Sequence, residues 1–127
     1  MTTNAQLLPA IFSLVDSWAD APVAYQGKTF CPPDAGHWYE LRVALNDFDP
    51  TISDQNNYRR GTIQISVCVR PNTGLVTLLE KADAVALAWP KGTALLDSVV
   101  VTTTPKQMGI IEDDKQVSIP VYFEYSE

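Results

Sequence analysis

The stretch Thr62–Arg70, Thr-Ile-Gln-Ile-Ser-Val-Cys-Val-Arg, decides how the chain is read. Ile63, Ile65, Val67 and Val69 fall on one side of an extended backbone and Thr62, Gln64, Ser66, Cys68 and Arg70 on the other. That period of two marks a strand with one buried face. Upstream, Trp38–Asn46 shows the same alternation, with Tyr39, Leu41, Val43 and Leu45 opposite Glu40, Arg42 and Asn46. Antiparallel pairing of the two runs is expected, with one face on a core and the other wet. Between them lies a polar loop, Asp47–Asn57, closed by Tyr58, Arg59, Arg60 and Gly61. A loop of this length inside a compact domain is usually a functional segment or a disordered one.

Before this pair, Leu7, Leu8, Ile11, Phe12, Leu14, Val15 and Trp18 recur at steps of three and four. They predict a helix from about Asn4 to Ala19, regular from about Leu8 because Pro9 interrupts its start. Pro22 stops it, a short strand is expected at Val23–Tyr25, and Gln26–Gly36 has the glycines and prolines of a connection. After Arg70, Pro71–Gly74 breaks the strand, and Asn72 or Thr73 is the expected cap of a second helix running to about Trp89. Its apolar face is Leu75, Leu78, Leu79, Ala82, Val85, Ala86 and Trp89, and Pro90 and Gly92 end it. Strands are expected at Ser98–Thr104, Met108–Ile111 and Gln116–Tyr125, the last after a turn at Glu112–Lys115 and with Pro120 suggesting an edge or a bulge. The reading is a single α+β domain over residues 1–127, two helices packed on a mostly antiparallel sheet.

At 127 residues and 46% hydrophobic composition the chain can bury a core without a disulfide or metal. A net charge of −6 argues against a sequence-independent grip on nucleic acid, which requires clustered Lys and Arg. Cys31 and Cys68 have neither disulfide-framework nor zinc-site spacing, so a reducing compartment is expected. The apolar stretch Leu7–Val15 lacks a basic leader, so no secretory signal is expected, and no run reaches the length of a membrane span.

Catalytic or metal chemistry would have to come from Cys31, Asp34 and His37, or from Asp47 and Asp49 around Phe48. The first group has a single histidine and a single thiol, short of a zinc set, and the second lacks further carboxylates at ligand spacing. Neither supports an enzyme or a cofactor. The residues that suggest contact are Asp47, Phe48, Asp49, Tyr58, Arg59 and Arg60. Phe48 and Tyr58 belong to no apolar stripe, and aromatics in polar loops often anchor a partner. Arg59 and Arg60 can fork onto carboxylates of another copy, with a solvated strand entrance as the alternative. Trp18, Trp38 and Trp89 are expected in the core or a subunit interface.

The order of elements, with Ala21-Pro22-Val23, Phe30-Cys31-Pro32-Pro33, Arg59-Arg60-Gly61 and Trp89-Pro90-Lys91-Gly92, resembles the tail-terminator-like proteins of long-tailed bacteriophages. The resemblance spans nearly the whole chain and rests on layout and scattered residues. It implies a structural virion protein that forms a ring, a hexamer, on the head-proximal end of the tail tube. There the ring would end tube polymerisation and present a surface to a head connector or head completion protein. The implied partners are further copies of the chain, the tail tube protein and that head-side protein. The implied location is the virion tail, after assembly in the cytoplasm of the host bacterium. By position, Asp47–Arg60 matches a loop that orders on assembly, and no catalytic residues carry over. A ring that passes DNA should not offer it a basic lumen, with which the acidic balance agrees. Opposite charges on separate patches are expected, with Arg42, Arg59, Arg60 and Arg70 on one side of such a contact. Another head–tail joining or tail completion protein, a monomeric adaptor, and an enzyme centred on Asp34, His37, Asp47 and Asp49 are the competing readings.

Overall fold

The computed structural model describes residues 4–46, 60–96 and 99–126. Two helices and an eight-stranded sheet share one core. In chain order the elements are α1 (Asn4–Trp18), β1 (Val23–Tyr25), β2 (His37–Asn46), β3 (Arg60–Val69), α2 (Val76–Ala88), β4 (Ala94–Leu96), β5 (Val99–Val101), β6 (Lys106–Gln107), β7 (Ile111–Glu112) and β8 (Val117–Ser126).

The centre of the sheet is β2, β3 and β8, each ten residues long and antiparallel to its neighbour over the full length. Their register aligns Tyr39–Val67–Ile119, Leu41–Ile65–Val121 and Val43–Ile63–Phe123. All these side chains point to the face that both helices cover. From α1, the steps of four place Leu7, Ile11 and Val15 there, each at most 1% exposed. Each such burial contributes about 1.5–3 kcal/mol relative to an exposed side chain. From α2 come Leu78, Ala82 and Val85, followed by Trp89. Trp89 stacks on Phe123 and meets Trp18 edge-on, so the ends of both helices converge on the same aromatic cluster.

Several local expectations change. Helix α1 is continuous from Asn4, because Pro9 forfeits only the bond to the Ala5 carbonyl, and both residues are exposed. Helix α2 starts later than the cap signal suggests. Asn72 takes the left-handed backbone (φ +66°), Thr73 donates its hydroxyl to the Arg70 carbonyl, and Leu75 occupies the cap position without a side-chain bond. With the helix so placed, Leu75 and Leu79 are more than 40% exposed and leave the apolar face. The expected strand at Ser98–Thr104 is shorter, as β5 ends at Val101, and of the expected strand Met108–Ile111 only Ile111 is extended in the sheet, opening β7, while Met108–Ile110 connects β6 to β7.

The largest difference concerns β8. Its proline suggests an edge, yet β8 lies inside the sheet, with β3 along one side and β7, β6 and β5 in succession along the other. The Pro120 carbonyl faces that second side and accepts from the Met108 N–H at 2.8 Å. Backbone N–H and C=O of one residue point the same way in an antiparallel ladder. The β6 register carried one residue on sets Met108 opposite Pro120, so the N–H that proline lacks would make the reciprocal bond to the Met108 carbonyl, and β6 ends at Gln107, where that single bond is missing. Short β1 pairs with β2 in parallel, at Val23–Tyr39 through Tyr25–Leu41, which makes the sheet mixed.

The second face of the sheet is only partly wet. Trp38 and Cys68 are fully buried and Ser66 and Ser118 nearly so, although the alternation assigns all four to the solvent side. Arg70 lies over the Trp38 ring with its Cζ 5.6 Å from the centroid, while its Nε and Nη2 donate to the carbonyls of Pro33 and Pro32. The connection before β2 is thus strapped across this end. On the same face, Gln116 Nε2 donates to Glu40 Oε1 at 3.2 Å and lies 3.8 Å from Cys68 Sγ.

Candidate functional site

Of the six residues singled out for contact, Asp47, Phe48, Asp49, Tyr58 and Arg59 lie outside the described residues. Arg60 opens β3, exposed, aligned with Asn46 on one side and Ser126 on the other. It stands at an open hollow of about 450 Å3, lined also by Gly61, Thr62, Thr102, Glu124, Tyr125 and Ser126. The lining is polar, without a cluster of titratable groups of the kind acid–base chemistry needs.

Gly61 shows why the sequence Arg60-Gly61 is needed at this rim. Its cross-strand partner is Tyr125, and a β-carbon on Gly61 would collide with the Tyr125 hydroxyl and the Ala44 carbonyl oxygen. The tyrosine ring fills the space that the glycine leaves, a known way of keeping a glycine within a strand.

The histidine is engaged structurally. His37 lies on the helix-covered face, and its Nε2 is 2.9 Å from Asp20 Oδ1, 17 residues earlier in the chain. The same oxygen accepts from the Tyr39 hydroxyl at 2.7 Å, and Oδ2 accepts from Lys81 Nζ at 2.7 Å. Asp20 thereby ties the connector after α1 to β2 and α2. Its carboxyl is held well below the usual carboxylate range, first by the Lys81 ammonium, then by the Tyr39 hydroxyl, with His37 adding to both against a small cost of burial. Tyr39 is pushed upward, chiefly by burial and then by its bond to Asp20. Asp20 stands in no recognisable spacing with these partners, so the sequence reading missed it.

Cys31 and Asp34 are exposed, and neither makes a bond with His37. Among the described residues no group of three His, Cys, Asp or Glu side chains is placed to hold a metal ion. Cys68 is buried on the second face, where desolvation and then the nearby carboxylates of Glu40 and Asp113 raise its thiol pKa. Such a thiol is a poor nucleophile. Arg70, expected in a charged contact patch, instead spends its guanidinium on the chain's own carbonyls. Trp38 and Trp89 are core residues, and Trp18, partly buried, packs on Tyr39 and Trp89. No described helix is long and apolar enough to cross a membrane.

The arrangement is that of a sheet with one face under the two helices and the other partly exposed. No curated protein matches the chain. A solved structure aligns with 98% of it and 96% of its own length, at a TM-score of 0.80 and 21% identity, a likeness in fold. The family model described as phage tail terminator protein matches residues 6–125. With that match running from the first turn of α1 to the penultimate residue of β8, the chain belongs to the phage tail terminator family, structural proteins of the virion tail.

Proposed function

We propose that this protein caps the head-proximal end of the phage tail tube as a hexameric ring, ends tube polymerisation and offers the surface on which the head is joined. The observation that carries the reading is the family match across residues 6–125. In this role the chain performs no catalysis, needs no cofactor and binds no specific nucleic acid. Its partners are copies of itself, the tail tube protein and a connector or completion protein of the head. It assembles in the host bacterial cytoplasm and ends in the virion. Asp47, Phe48, Asp49, Tyr58, Arg59 and Arg60 contact a neighbouring subunit or the tube.

Supporting this reading, the net charge of −6 suits a ring through which DNA passes without adhering. The test is the mass of the protein in solution, with negative-stain images of purified tail tubes in its presence and absence. An added ring at one end of each tube, and an end to further growth there, is the expected result. A protein that remains monomeric and never caps a tube would overturn the proposal. Reversing the charge of Arg59 and Arg60 together should weaken ring formation while the unfolding transition stays in place.

A further inference from the structure

Helix α2 is apolar on two sides. One faces the core through Leu78, Ala82 and Val85. The other carries Leu75, Val76, Leu79 and Leu87, which stand four, seven or eight residues from Asp83 and therefore share its side of the helix. Val76 is 71% and Leu87 80% exposed. This second side is turned toward β6, because the Asp83 carboxylate accepts from Gln107 Nε2. Trp89, just after the helix, stacks on Phe123, so the helix start lies toward the Val117 end of β8. The chain beyond Gln107 runs toward the same end, since Gln107 pairs with Val121 and Ile111 with Ser118. It brings Met108, Ile110 and Ile111, each more than 40% exposed, alongside Val76 and Leu79.

No other described residue is a large apolar side chain exposed in this way. Soluble proteins scatter such residues singly, and their gathering on one flank marks a contact surface. Its border is acidic. Glu80 and Asp83 lie on the helix and Glu112, Asp113 and Asp114 follow the connection, against Lys106 and Lys115, all of them exposed. Lys81, on the opposite side of α2, is drawn to Asp20. A second copy fits this surface poorly. Two such flanks face to face would oppose their carboxylates, and the rest of the described surface offers no apolar counterpart for a head-to-tail contact. The occupant is therefore a different protein. From Leu75 to Leu87 the stripe runs about 18 Å, the length of roughly three helical turns.

We propose that the outer side of α2 and the β6–β7 connection form a docking site for an amphipathic helix of another protein, apolar on one face and bordered by Lys or Arg. Apolar anchors at steps of three and four lie along the stripe, as in other helix-binding surfaces, and the bordering cations meet Glu80 and the Glu112–Asp114 turn. The site goes beyond the ring reading and does not depend on it.

The probe is a synthetic peptide of about 18 residues, long enough to hold a helix, with Leu at such steps and Lys on both borders. A twin peptide carries Glu in place of Lys, and binding to the full chain is read by fluorescence anisotropy. The Lys peptide should bind saturably and about tenfold more tightly than its twin, with an affinity that falls as salt is raised. Val76→Ser combined with Leu87→Ser should weaken it about tenfold and leave the thermal transition in place, as both side chains are exposed. Glu80→Lys combined with Glu112→Lys should reverse the preference between the two peptides, which general apolar adhesion would not do. Equal binding of both peptides, or binding indifferent to the serine pair, would overturn the site. So would a wild-type dimer, seen by native mass, that the serine pair turns monomeric, since the flank would then belong to a second copy. None of these results touches the capping of tail tubes, so the docking site can fail while the ring reading stands.

Discussion

Replacing Asp20 by alanine should destabilise the protein by about 2 kcal/mol, and most of that loss should come from Tyr39. Three donors converge on the carboxylate, but they differ in what they do without it. Lys81 and Asp20 have side chains 32% and 51% exposed, so their pair competes with water and contributes at most about 1 kcal/mol. His37 sits at 15% and turns one ring nitrogen to the same exposed oxygen, adding a similar small amount. The Tyr39 residue is 1% exposed, and leaving its hydroxyl unsatisfied costs about 1–3 kcal/mol. In a domain of this size 2 kcal/mol lowers the melting temperature by roughly 8 °C.

Urea unfolding of Asp20→Ala, Tyr39→Phe and the double variant separates these contributions. Tyr39→Phe removes the orphan along with its partner, so the double variant should lose about 1 kcal/mol less than the sum of the singles. Losses that add within about 0.5 kcal/mol would refute the assignment. Acid provides an independent check. Because the folded carboxyl titrates below its ordinary value of 3.8, the folded state binds fewer protons than the unfolded state in that range. The advantage of the wild type over Asp20→Asn should thus be complete above about pH 4 and shrink as pH falls further.

Gly61→Ala should cost about 1–3 kcal/mol, through collision with Tyr125 and the Ala44 carbonyl, measured by urea unfolding. Pro120→Ala should change stability by no more than about 1 kcal/mol, because at most one ladder bond, to the Met108 carbonyl at the end of β6, is regained; a larger loss would show that the ring itself is a packing element there. The Tyr25 phenol is pushed up to about 12 by burial and by Asp16, so stability should fall as pH rises from 10 to 12, and Tyr25→Phe should flatten that fall. Brief alkylation of the native protein should modify Cys31 alone, and intact mass should show one adduct, two appearing only after unfolding.

The alternation of Thr62–Arg70 and Trp38–Asn46 makes the central hairpin legible, because a strand with one buried face writes its period into the sequence. The stripes of Leu7–Ile11–Val15 and Leu78–Ala82–Val85 do the same for the helices. Strand order is different in kind. Nothing local in Gln116–Tyr125 says that it inserts beside β3, and its proline points the wrong way until the break between β6 and β7 is known. Trp38 and Cys68 sit at solvent-side positions and are covered by side chains distant in sequence, Arg70 over Trp38 and Gln116 beside Cys68. Asp20 was invisible for the same reason, since its partners are 17, 19 and 61 residues away. As for the candidate site, Arg60 was legible as a rim residue, because it opens a strand whose alternation is written in the sequence.

The position of β8 also governs how the molecule is made. Every strand that pairs with it is synthesised first: β3 along one side, then β5, β6 and β7 along the other. A nascent chain ending at Gln116 would hold Ile63, Ile65 and Val67 with a bare ladder beside them, β6 and β7 with nothing to join, and β5 with β4 alone. Because such distant pairings form late and slowly, the order of translation creates an interval in which β3 is a template for wrong partners. Slowing synthesis just before Val117, or losing the residues after it, should therefore lower soluble yield far more than an equal loss at Asn4–Gln6, where only a helix turn is spent.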